Sequence, residues 1–499
     1  MDYQNILTLG KETRVLSSIQ QLLEWDQETY MPKGGSDFRS EQLELISSKI
    51  HREKTSEPFK IALSKLIDLE SGEIKNPSLD DRKKAALREW RRDFLQNIKL
   101  PNDFVKECAK TTSQAVHIWI KARNENNFSL FAPHLEKIIA LMRKKADLLG
   151  FEAHPYDPLI DLYEPGITTE NLISLFSTLK PLLKELAIKY ANEPNPNHSF
   201  IQGNFNEKDQ LEFNHFILEK MGMDFSFSRL DHSAHPFCLG IHPHDVRITT
   251  TTSTSDLMVS LGAILHEGGH ALYELGLPVE ELGSPLSEYT SIGIHESQSR
   301  LWETFIGLSF PFWQFALPHL QKKFPELGGI TLPTFYKGIN HVHPSFIRIH
   351  ADEVTYVLHI ILRFEIELEF ITGKLSVYDL PDLWNAKMKE YLGIVPQTDS
   401  EGCLQDIHWA TGLFGYFPTY ALGTIYAGQI FDSIHHTFPN WKERIAAGDP
   451  LFIKQFLFEN IYRFGRQYSP AELIKKMSGQ DISPIPYMNY LKEKFISSN

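Results

Sequence analysis

The chain has 499 residues, which exceeds the size at which a single hydrophobic core usually stops growing. Hydrophobic residues make up 42% and charged residues 23%, as in ordinary globular proteins, and no apolar stretch is long enough to span a bilayer. The formal net charge of −13 at pH 7 disfavours nucleic acid and anionic membrane as main partners. We therefore expect a globular protein that binds neither nucleic acid nor membrane.

Cysteine usage and the N-terminal residues indicate the compartment. The three cysteines, Cys108, Cys238 and Cys403, are too few and too scattered for a disulfide framework. Residues 1–20 lack the basic segment and apolar run of a secretory signal. Both observations favour the reducing cytoplasm.

Helical periodicity dominates the first part of the chain. Apolar residues recur at helical spacing from Leu16 to Leu23, and the pattern continues into Trp25 before Pro32 stops it. Six further helices are predicted, at Arg39–His51, Asp80–Ile98, Phe104–Asn124, Pro133–Leu149, Glu170–Ala191 and Asp209–Met221.

The best strand candidate is the β-branched run Val246–Thr252. It lies shortly before the next predicted helix. Because an edge strand can pair with an extended peptide, we expect this run to offer its edge to a peptide.

Residues Ser255–Gly276 are predicted to form one helix, because apolar residues recur throughout at helical spacing. Ser255 is the expected N-cap, and Gly276 is expected to end the helix in a left-handed conformation. The motif His266–His270 (HEGGH) interrupts this apolar helix. Burying three polar side chains together is costly unless they are paired or coordinated, and each interior glycine costs about 1 kcal/mol relative to alanine. Such a stretch indicates a functional site.

The spacing of the two histidines indicates metal chemistry. Residues four apart lie on the same helical face, so His266 and His270 can direct both imidazoles to one ion, and Glu267 can reach a water molecule beside it. This is the HExxH pattern of zinc hydrolases. Two surface histidines beside a solvated glutamate would have the same sequence, but the apolar surroundings argue against that interpretation. We predict one zinc ion per chain, with cobalt or manganese as substitutes.

A third ligand must come from beyond this helix, since hydrolytic zinc sites usually use three protein ligands and a water molecule. Glu274 continues the same helical face but lies about 12 Å along the axis from His266, too far to share one ion. Glu288 lies in a turn rich in Ser, Pro and Thr and is less rigidly held. Glu296 lies in a compact predicted helix, Ile292–Trp302, whose polar residues cluster on one side. We favour Glu296.

The C-terminal part is again predicted to be helical. Phe346–Phe370 is expected to be one long helix with Arg348 near its start, and Leu380–Tyr391 and Gly402–Gln429 are expected to contain further helices. For Arg348 the simplest structural role is an ion pair with Asp352, four residues later.

Several separate motifs, in order along essentially the whole chain, resemble the M32 family of metallocarboxypeptidases, the carboxypeptidase Taq type. The motifs are Trp25–Gln27 with Met31 and Pro32, His235–Phe237, Asp245–Thr249, His266–His270, His295–Arg300, Ile347–Asp352 and Gly402–Trp409. The resemblance implies a homodimeric peptidase that removes residues one at a time from peptide C-termini. It also implies that His266, His270 and Glu296 bind the metal and that Glu267 is the catalytic base.

The resemblance also implies the architecture. We expect a mainly α-helical fold with a deep central groove and a small β-sheet near the active site. Residues 1–499 would form a single peptidase unit, in which residues 1–200 are mainly a helical wall. Residues 201–499 would hold the catalytic part.

The mechanism that these residues predict is hydrolysis by an activated water molecule. Zinc polarises the scissile carbonyl and acidifies the water, and Glu267 takes the water proton and passes it to the leaving amine. The oxyanion needs a further donor. His235 and Tyr420 are the candidates, and ordinary packing is the alternative role of each.

A carboxypeptidase must also recognise the terminal carboxylate, which internal peptide bonds lack. Arginine suits this task because its planar fork donates two parallel hydrogen bonds. Arg348 is the favoured anchor, and Arg247, Gln405 and His408 are also predicted to bind substrate. Two other functions remain open: an oligo-endopeptidase on the same scaffold, and a non-catalytic peptide-binding protein. The intact Glu267 argues against the second.

Overall fold

The computed structural model describes residues 2–193, 196 and 198–496. Helical residues of all kinds make up 67% of the residues described and are accompanied by a small three-stranded sheet, so the predicted mainly α class is confirmed. Within the described residues, none of the helices combines the length and apolarity needed to span a membrane.

Nine helices lie in the first half of the described chain. They are α1 (Asp2–Thr29), α2 (Ser36–Lys54), α3 (Glu57–Ser64), α4 (Asp81–Ile98), α5 (Asn102–Asn124), α6 (Phe128–Leu149), α7 (Asp157–Asp161), α8 (Thr169–Ala191) and α9 (Glu207–Met221). The helices predicted between Arg39 and Met221 are all present.

The helices of the second half continue this numbering. They are α10 (Leu257–Leu275), α11 (Ile292–Arg300), α12 (Phe310–Lys323), α13 (Leu332–Ile339), α14 (Tyr356–Thr372), α15 (Leu380–Leu392), α16 (Phe417–Thr437), α17 (Trp441–Ala446), α18 (Leu451–Asn460), α19 (Pro470–Ser478) and α20 (Ile485–Phe495). A π-helical segment, Leu301–Ile306, continues directly from α11.

The chain forms two compact units, each assembled from discontinuous segments. The first unit comprises Met1–Ile98, Asn197–Ile339 and Ile430–Gln480, and the second comprises Lys99–Pro196, Asn340–Gln429 and Asp481–Asn499. Both units therefore take residues from either side of position 200. That the chain acts as a single peptidase unit stays a prediction.

The sheet belongs to the first unit and consists of β1 (Ser228–His232), β2 (Cys238–His242) and β3 (Asp245–Thr250). The predicted strand is present as β3, but the prediction that it lies at an edge was wrong. It is the central strand, parallel to β1 and antiparallel to β2. Its neighbours escaped prediction because both are short and one, SRLDH, is mostly polar.

The helix α10 carries the HEGGH motif and packs against β2, β3, α9 and α11. Its N-cap is Asp256 rather than Ser255, because the Asp256 side chain accepts the backbone N–H of Met258. Gly276 is not left-handed, since its φ is −92°. A side chain there would instead collide with Tyr462, whose ring lies 2.5 Å from the position of a Cβ atom.

The two glycines inside the motif have packing reasons. A Cβ atom on Gly269 would lie 2.4 Å from the carbonyl oxygen of Gln298 and 2.7 Å from Cα of Ser299, both backbone atoms of α11. A Cβ atom on Gly268 would lie 2.8 Å from Leu218 and 2.9 Å from Met221, side chains of α9. The helix α10 therefore approaches both neighbours more closely than an alanine would allow.

The long helix predicted from Phe346 begins only at Tyr356, as α14, so this prediction was wrong over its first turns. Arg348 lies in a single turn of 3-10 helix instead. The carboxylate of Asp352 accepts the backbone N–H groups of three nearby residues. This local side-chain bonding competes with helix formation.

The segment Gly402–Gln429 contains the start of the helix α16 at Phe417, and the residues before it are irregular. Gly412 and Gly415 have φ angles of 75° and 86°, left-handed conformations that interrupt a helix. The side-chain amide of Gln405 donates to three backbone carbonyls, which holds the segment in an irregular path.

We predict that Gly269→Ala destabilises the protein by about 3 kcal/mol, because the added methyl group meets backbone atoms that cannot move independently of α11. The matched control is Gly262→Ala on the same helix, where, apart from its chain neighbours and the backbone of α10, no atom lies within 4 Å of the added Cβ. That change should be neutral or stabilise by up to about 1 kcal/mol. Chemical denaturation measures both, and equal unfolding free energies would contradict the close packing.

Candidate active site

Three side chains of the first unit converge on one point. His266 and His270 project from one face of α10, and Glu296 projects from α11. The Nε2 atoms of His266 and His270 lie 3.7 Å and 3.5 Å from Oε2 of Glu296, and one ligand atom from each residue lies within 4.8 Å of the others. Across the described part of the chain, no other three His, Cys, Asp or Glu side chains are grouped in this way. We call these residues the His–His–Glu group.

The donor set of this group fits a zinc ion. Two imidazole nitrogens and one carboxylate oxygen are the ligands that zinc uses at catalytic sites, where one position stays open. Donors about 2.1 Å from a tetrahedral zinc ion would lie about 3.4 Å apart, close to the two separations between each imidazole nitrogen and Glu296. Ser299 Oγ donates to Oε2 of Glu296 at 3.1 Å and helps to fix the carboxylate.

The electrostatics of the group favour an ionised Glu296. Burial by itself would raise the pKa of the Glu296 carboxyl, but the neighbouring imidazoles of His266 and His270 lower it to about 2. Burial has the opposite outcome at Glu267, whose pKa is raised above its usual value. The Glu296 carboxyl is therefore held as an anion, whereas the Glu267 carboxyl binds a proton more readily than an ordinary glutamate.

A residue that sequence analysis missed supports His266. Oε2 of Glu303 lies 2.9 Å from Nδ1 of His266 and also accepts from Nη1 of Arg300 at 2.8 Å. Such a carboxylate fixes the orientation and tautomer of a metal-binding histidine, leaving Nε2 as the ligand atom. The available signal was the position of Glu303 seven residues after Glu296, on the same helical face.

The imidazole of His270 is held in place by His295. The ring of His270 stacks on that of His295, with centroids 4.3 Å apart and 16° between the planes. Nε2 of His295 lies 3.0 Å from Oε1 of Glu274. Glu274, too far along α10 to be a ligand, therefore holds the residue against which His270 packs.

Glu288, the weaker candidate for third ligand, lies outside the group. Its carboxylate is 46% exposed and accepts from Nη1 of Arg466 at 3.2 Å. Asp93 and Glu89 contact the same guanidinium. Glu288 thus takes part in an ion-pair network that ties its loop to α4.

Four residues predicted to serve the substrate or the oxyanion lie together in the second unit. Oε1 of Gln405 accepts the backbone N–H of Arg348 at 2.8 Å. The Arg348 guanidinium carbon lies 4.9 Å from the ring centre of Tyr420, and Nε2 of His408 lies 3.1 Å from the Tyr420 hydroxyl. The sequence brings these residues from three separate segments.

The ion-pair partner of Arg348 is Asp406 and not Asp352, which was the structural alternative to a role in substrate binding. Nε and Nη2 of Arg348 lie 3.1 Å and 2.9 Å from Oδ1 of Asp406. Although burial opposes its charge, Asp406 raises the pKa of the Arg348 guanidinium. Burial lowers the pKa of His408 to about 4, so this histidine is neutral at pH 7. We call Arg348, Gln405, Asp406, His408 and Tyr420 the Arg348 cluster.

The two remaining predicted residues, Arg247 and His235, lie in the first unit. Nε of Arg247 lies 2.8 Å from Oδ1 of Asp245, and its guanidinium carbon lies 4.4 Å from the ring centre of Trp25. His235 is exposed between β1 and β2, and its carbonyl accepts from Ser233 Oγ. Within the described residues, neither forms a hydrogen bond or ion pair with the His–His–Glu group.

Comparison with known proteins identifies the family of this chain. The family model for carboxypeptidase Taq (M32) metallopeptidases matches residues 5–495. Carboxypeptidase 1 of Bacillus subtilis is 39% identical over 95% of this chain and 94% of its own length. Thermostable carboxypeptidase 1 of Thermus thermophilus is 36% identical over 99% of this chain and 98% of its own.

Solved structures of two carboxypeptidases have the same fold as this chain. The M32 carboxypeptidase of Deinococcus radiodurans superposes with a TM-score of 0.96 at 34% identity, over 99% of this chain and 98% of that one. The Pyrococcus furiosus carboxypeptidase superposes with the same TM-score of 0.96 at 36% identity, over 99% of both chains. The chain belongs to the M32 family of metallopeptidases. It is a metallocarboxypeptidase, and peptides are its substrates.

We predict that Glu296→Ala loses most of the bound metal, because two imidazoles alone leave the site incomplete. Glu288→Ala is the matched control and should keep the metal content of the unaltered protein. Elemental analysis after dialysis measures both. The opposite result, loss at position 288 and retention at position 296, would reject Glu296 as third ligand.

Proposed function

We propose that this metallocarboxypeptidase is zinc-dependent and releases C-terminal amino acids one at a time. The observation that carries the proposal is the His–His–Glu group, whose donor atoms suit one zinc ion per chain. Two imidazoles and a carboxylate also accept cobalt or manganese, which we propose as functional substitutes. When bound, zinc supplies a Lewis acid that polarises the scissile carbonyl and makes a water molecule more acidic.

Glu267 is proposed as the general base. It follows the ligand His266 directly and belongs to the same turn of α10. Burial raises the pKa of the Glu267 carboxyl towards neutral pH. A pKa shifted in this direction suits a group that must take a proton and give it up again. Glu267 thus accepts the proton of the attacking water and delivers it to the leaving amine.

His235 and Tyr420 are proposed as donors to the developing oxyanion. The support is unequal. The Tyr420 hydroxyl is oriented by a contact with neutral His408, whereas His235 is exposed in a loop. A preorganised donor stabilises an oxyanion better than a mobile one, so Tyr420 is the stronger candidate.

The Arg348 cluster is proposed to bind the terminal carboxylate. Asp406 engages Nε and Nη2 of Arg348, which leaves Nη1 outside this ion pair. Gln405 fixes the Arg348 backbone, and His408 acts through Tyr420. A buried guanidinium held in one orientation suits recognition of a carboxylate. Substrate contact by Arg247, which is paired with Asp245, stays a prediction.

We also propose a cytoplasmic homodimer. Free Cys108, Cys238 and Cys403 are consistent with a reducing compartment. Apolar side chains are exposed along one face of α1 and of its packing partner α2, namely Val15 (49%), Ile19 (43%), Leu22 (41%), Phe38 (66%) and Leu45 (61%). A second copy would bury such a face. Sedimentation as a monomer at micromolar concentration would reject the dimer.

We predict that Glu267→Gln keeps its metal but loses turnover by several orders of magnitude, because the amide cannot accept the proton. Glu280→Gln, an exposed carboxylate elsewhere in the first unit, is the control and should leave turnover unchanged. Metal content and kcat on a short peptide are measured together. Turnover retained in metal-loaded Glu267→Gln would exclude Glu267 as the base.

We predict that Arg348→Ala lowers kcat/KM about a hundredfold or more, mainly through KM, because a charge-assisted pair with the carboxylate is lost. Arg348→Lys should recover only part of this, since a point charge does not replace the planar fork. The peptide and its C-terminally amidated twin are compared in each variant. Equal cleavage of the two peptides by the unaltered enzyme would reject recognition of the terminal carboxylate by the Arg348 cluster. A preference that survives Arg348→Ala would mean another residue is the anchor.

A further inference from the structure

A second arginine, Arg363 of α14, shares the carboxylate of Asp406. Nε of Arg363 lies 2.7 Å and Nη2 2.6 Å from Oδ2 of Asp406, whereas Arg348 bonds to Oδ1. One carboxylate therefore bridges two guanidinium groups. Sequence analysis did not single out Arg363, because it lies in a long apolar helix outside every motif.

Arg363 is held rigidly. Its side chain is 0% exposed, its Nη1 donates to the carbonyl of His359, and its Nη2 donates to Oε1 of Gln405. Its guanidinium carbon lies 4.6 Å from the ring centre of Trp384 and 5.4 Å from that of Phe417. The position of Asp406, and through it that of Arg348, is thus set by a side chain without room to move.

The charges in this contact do not cancel. Two guanidinium groups face one carboxylate. Burial alone would raise the pKa of Asp406, but Arg363 and then Arg348 hold it well below its usual range, so the carboxylate is ionised. Nearby His408 and His359 are neutral at pH 7, because burial lowers their pKa values to about 4 and about 3.

One further carboxyl group, that of Glu367, lies near Arg363 but makes its hydrogen bonds to other groups. It accepts from the Tyr156 hydroxyl, the Trp409 indole and the Gly415 backbone, and burial raises its pKa to about 7. The groups in direct contact therefore carry one positive charge in excess. A buried cluster with an uncompensated positive charge favours the binding of an anion.

Without Arg363, both oxygens of Asp406 would be available to Arg348. The two side chains would then form a bidentate pair in which the charge of Arg348 is neutralised. We propose that Arg363 is a positioning residue that keeps the charge of Arg348 uncompensated and its guanidinium oriented for the terminal carboxylate. The inference rests on the proposed role of Arg348 as carboxylate anchor. Arg363 itself touches Asp406 and Gln405, and it acts on the substrate only through Arg348.

The test compares Arg363→Gln, which keeps a hydrogen-bond donor but not the charge, with Arg363→Lys, which keeps the charge. KM for a free-acid peptide should rise about tenfold or more in Arg363→Gln, with kcat and metal content changed much less. Arg363→Lys should restore most of the affinity. The control is Arg143→Gln in the same unit. Within the described residues, the Arg143 guanidinium donates only to the carbonyl of Phe370, so KM should not change.

A double-mutant cycle identifies the route of action. In the Arg348→Ala background, Arg363→Gln should have little further effect on KM, since the group through which it acts is gone. Additive effects in the cycle, a KM for folded Arg363→Gln within twofold of the unaltered enzyme, or equal losses in the Gln and Lys variants would each overturn the proposal. Loss of folding in Arg363→Gln would assign Arg363 a structural role and overturn it as well.

The peptide pair separates this inference from the proposed function. Equal cleavage of free-acid and amidated peptides by the unaltered enzyme would reject carboxylate anchoring altogether. A preference for the free acid that is lost in Arg348→Ala but unchanged in Arg363→Gln would leave the anchor intact and reject only the role of Arg363.

Discussion

The close approach of α10 and α11 at Gly269 is the constraint on which the His–His–Glu group depends. No side chain separates the two helix backbones at this point. His270 directly follows the contact on α10, and Glu296 lies one turn before it on α11, so the spacing between these two side chains is set by backbone packing. Packed backbones hold a site to a fraction of an ångström, which metal coordination and catalysis both require.

Buried ion pairs then fix what the helices bring together. Glu303 orients His266 and is itself held by Arg300. Arg466 joins Glu89 and Asp93 of α4 to Glu288, in the segment that leads into α11. A charge taken out of water must be paired, and each pair restricts the backbone segments that carry it. Buried ion pairs therefore hold both the His–His–Glu group and the loop that leads into α11.

The Arg348 cluster follows a different principle. The His–His–Glu group pairs its acidic and basic side chains, whereas Arg348 and Arg363 share a single carboxylate. A shared anion fixes two cations while neutralising only one of them. The arrangement keeps a positive charge buried, at a cost in stability that the surrounding aromatic rings and hydrogen bonds offset.

Local patterns in the sequence determined the helical class, most helices before residue 222, the strand at Val246 and the placement of His266 and His270 on one helical face, because period and i, i+4 spacing are properties of neighbouring residues. Glu296 could be favoured on rigidity. Only the tertiary structure decided that β3 is central, that Glu303 and His295 support the imidazoles, and that Arg348 pairs with Asp406 and Arg363. These contacts join segments far apart in the chain, and no local period encodes which distant segment packs against which.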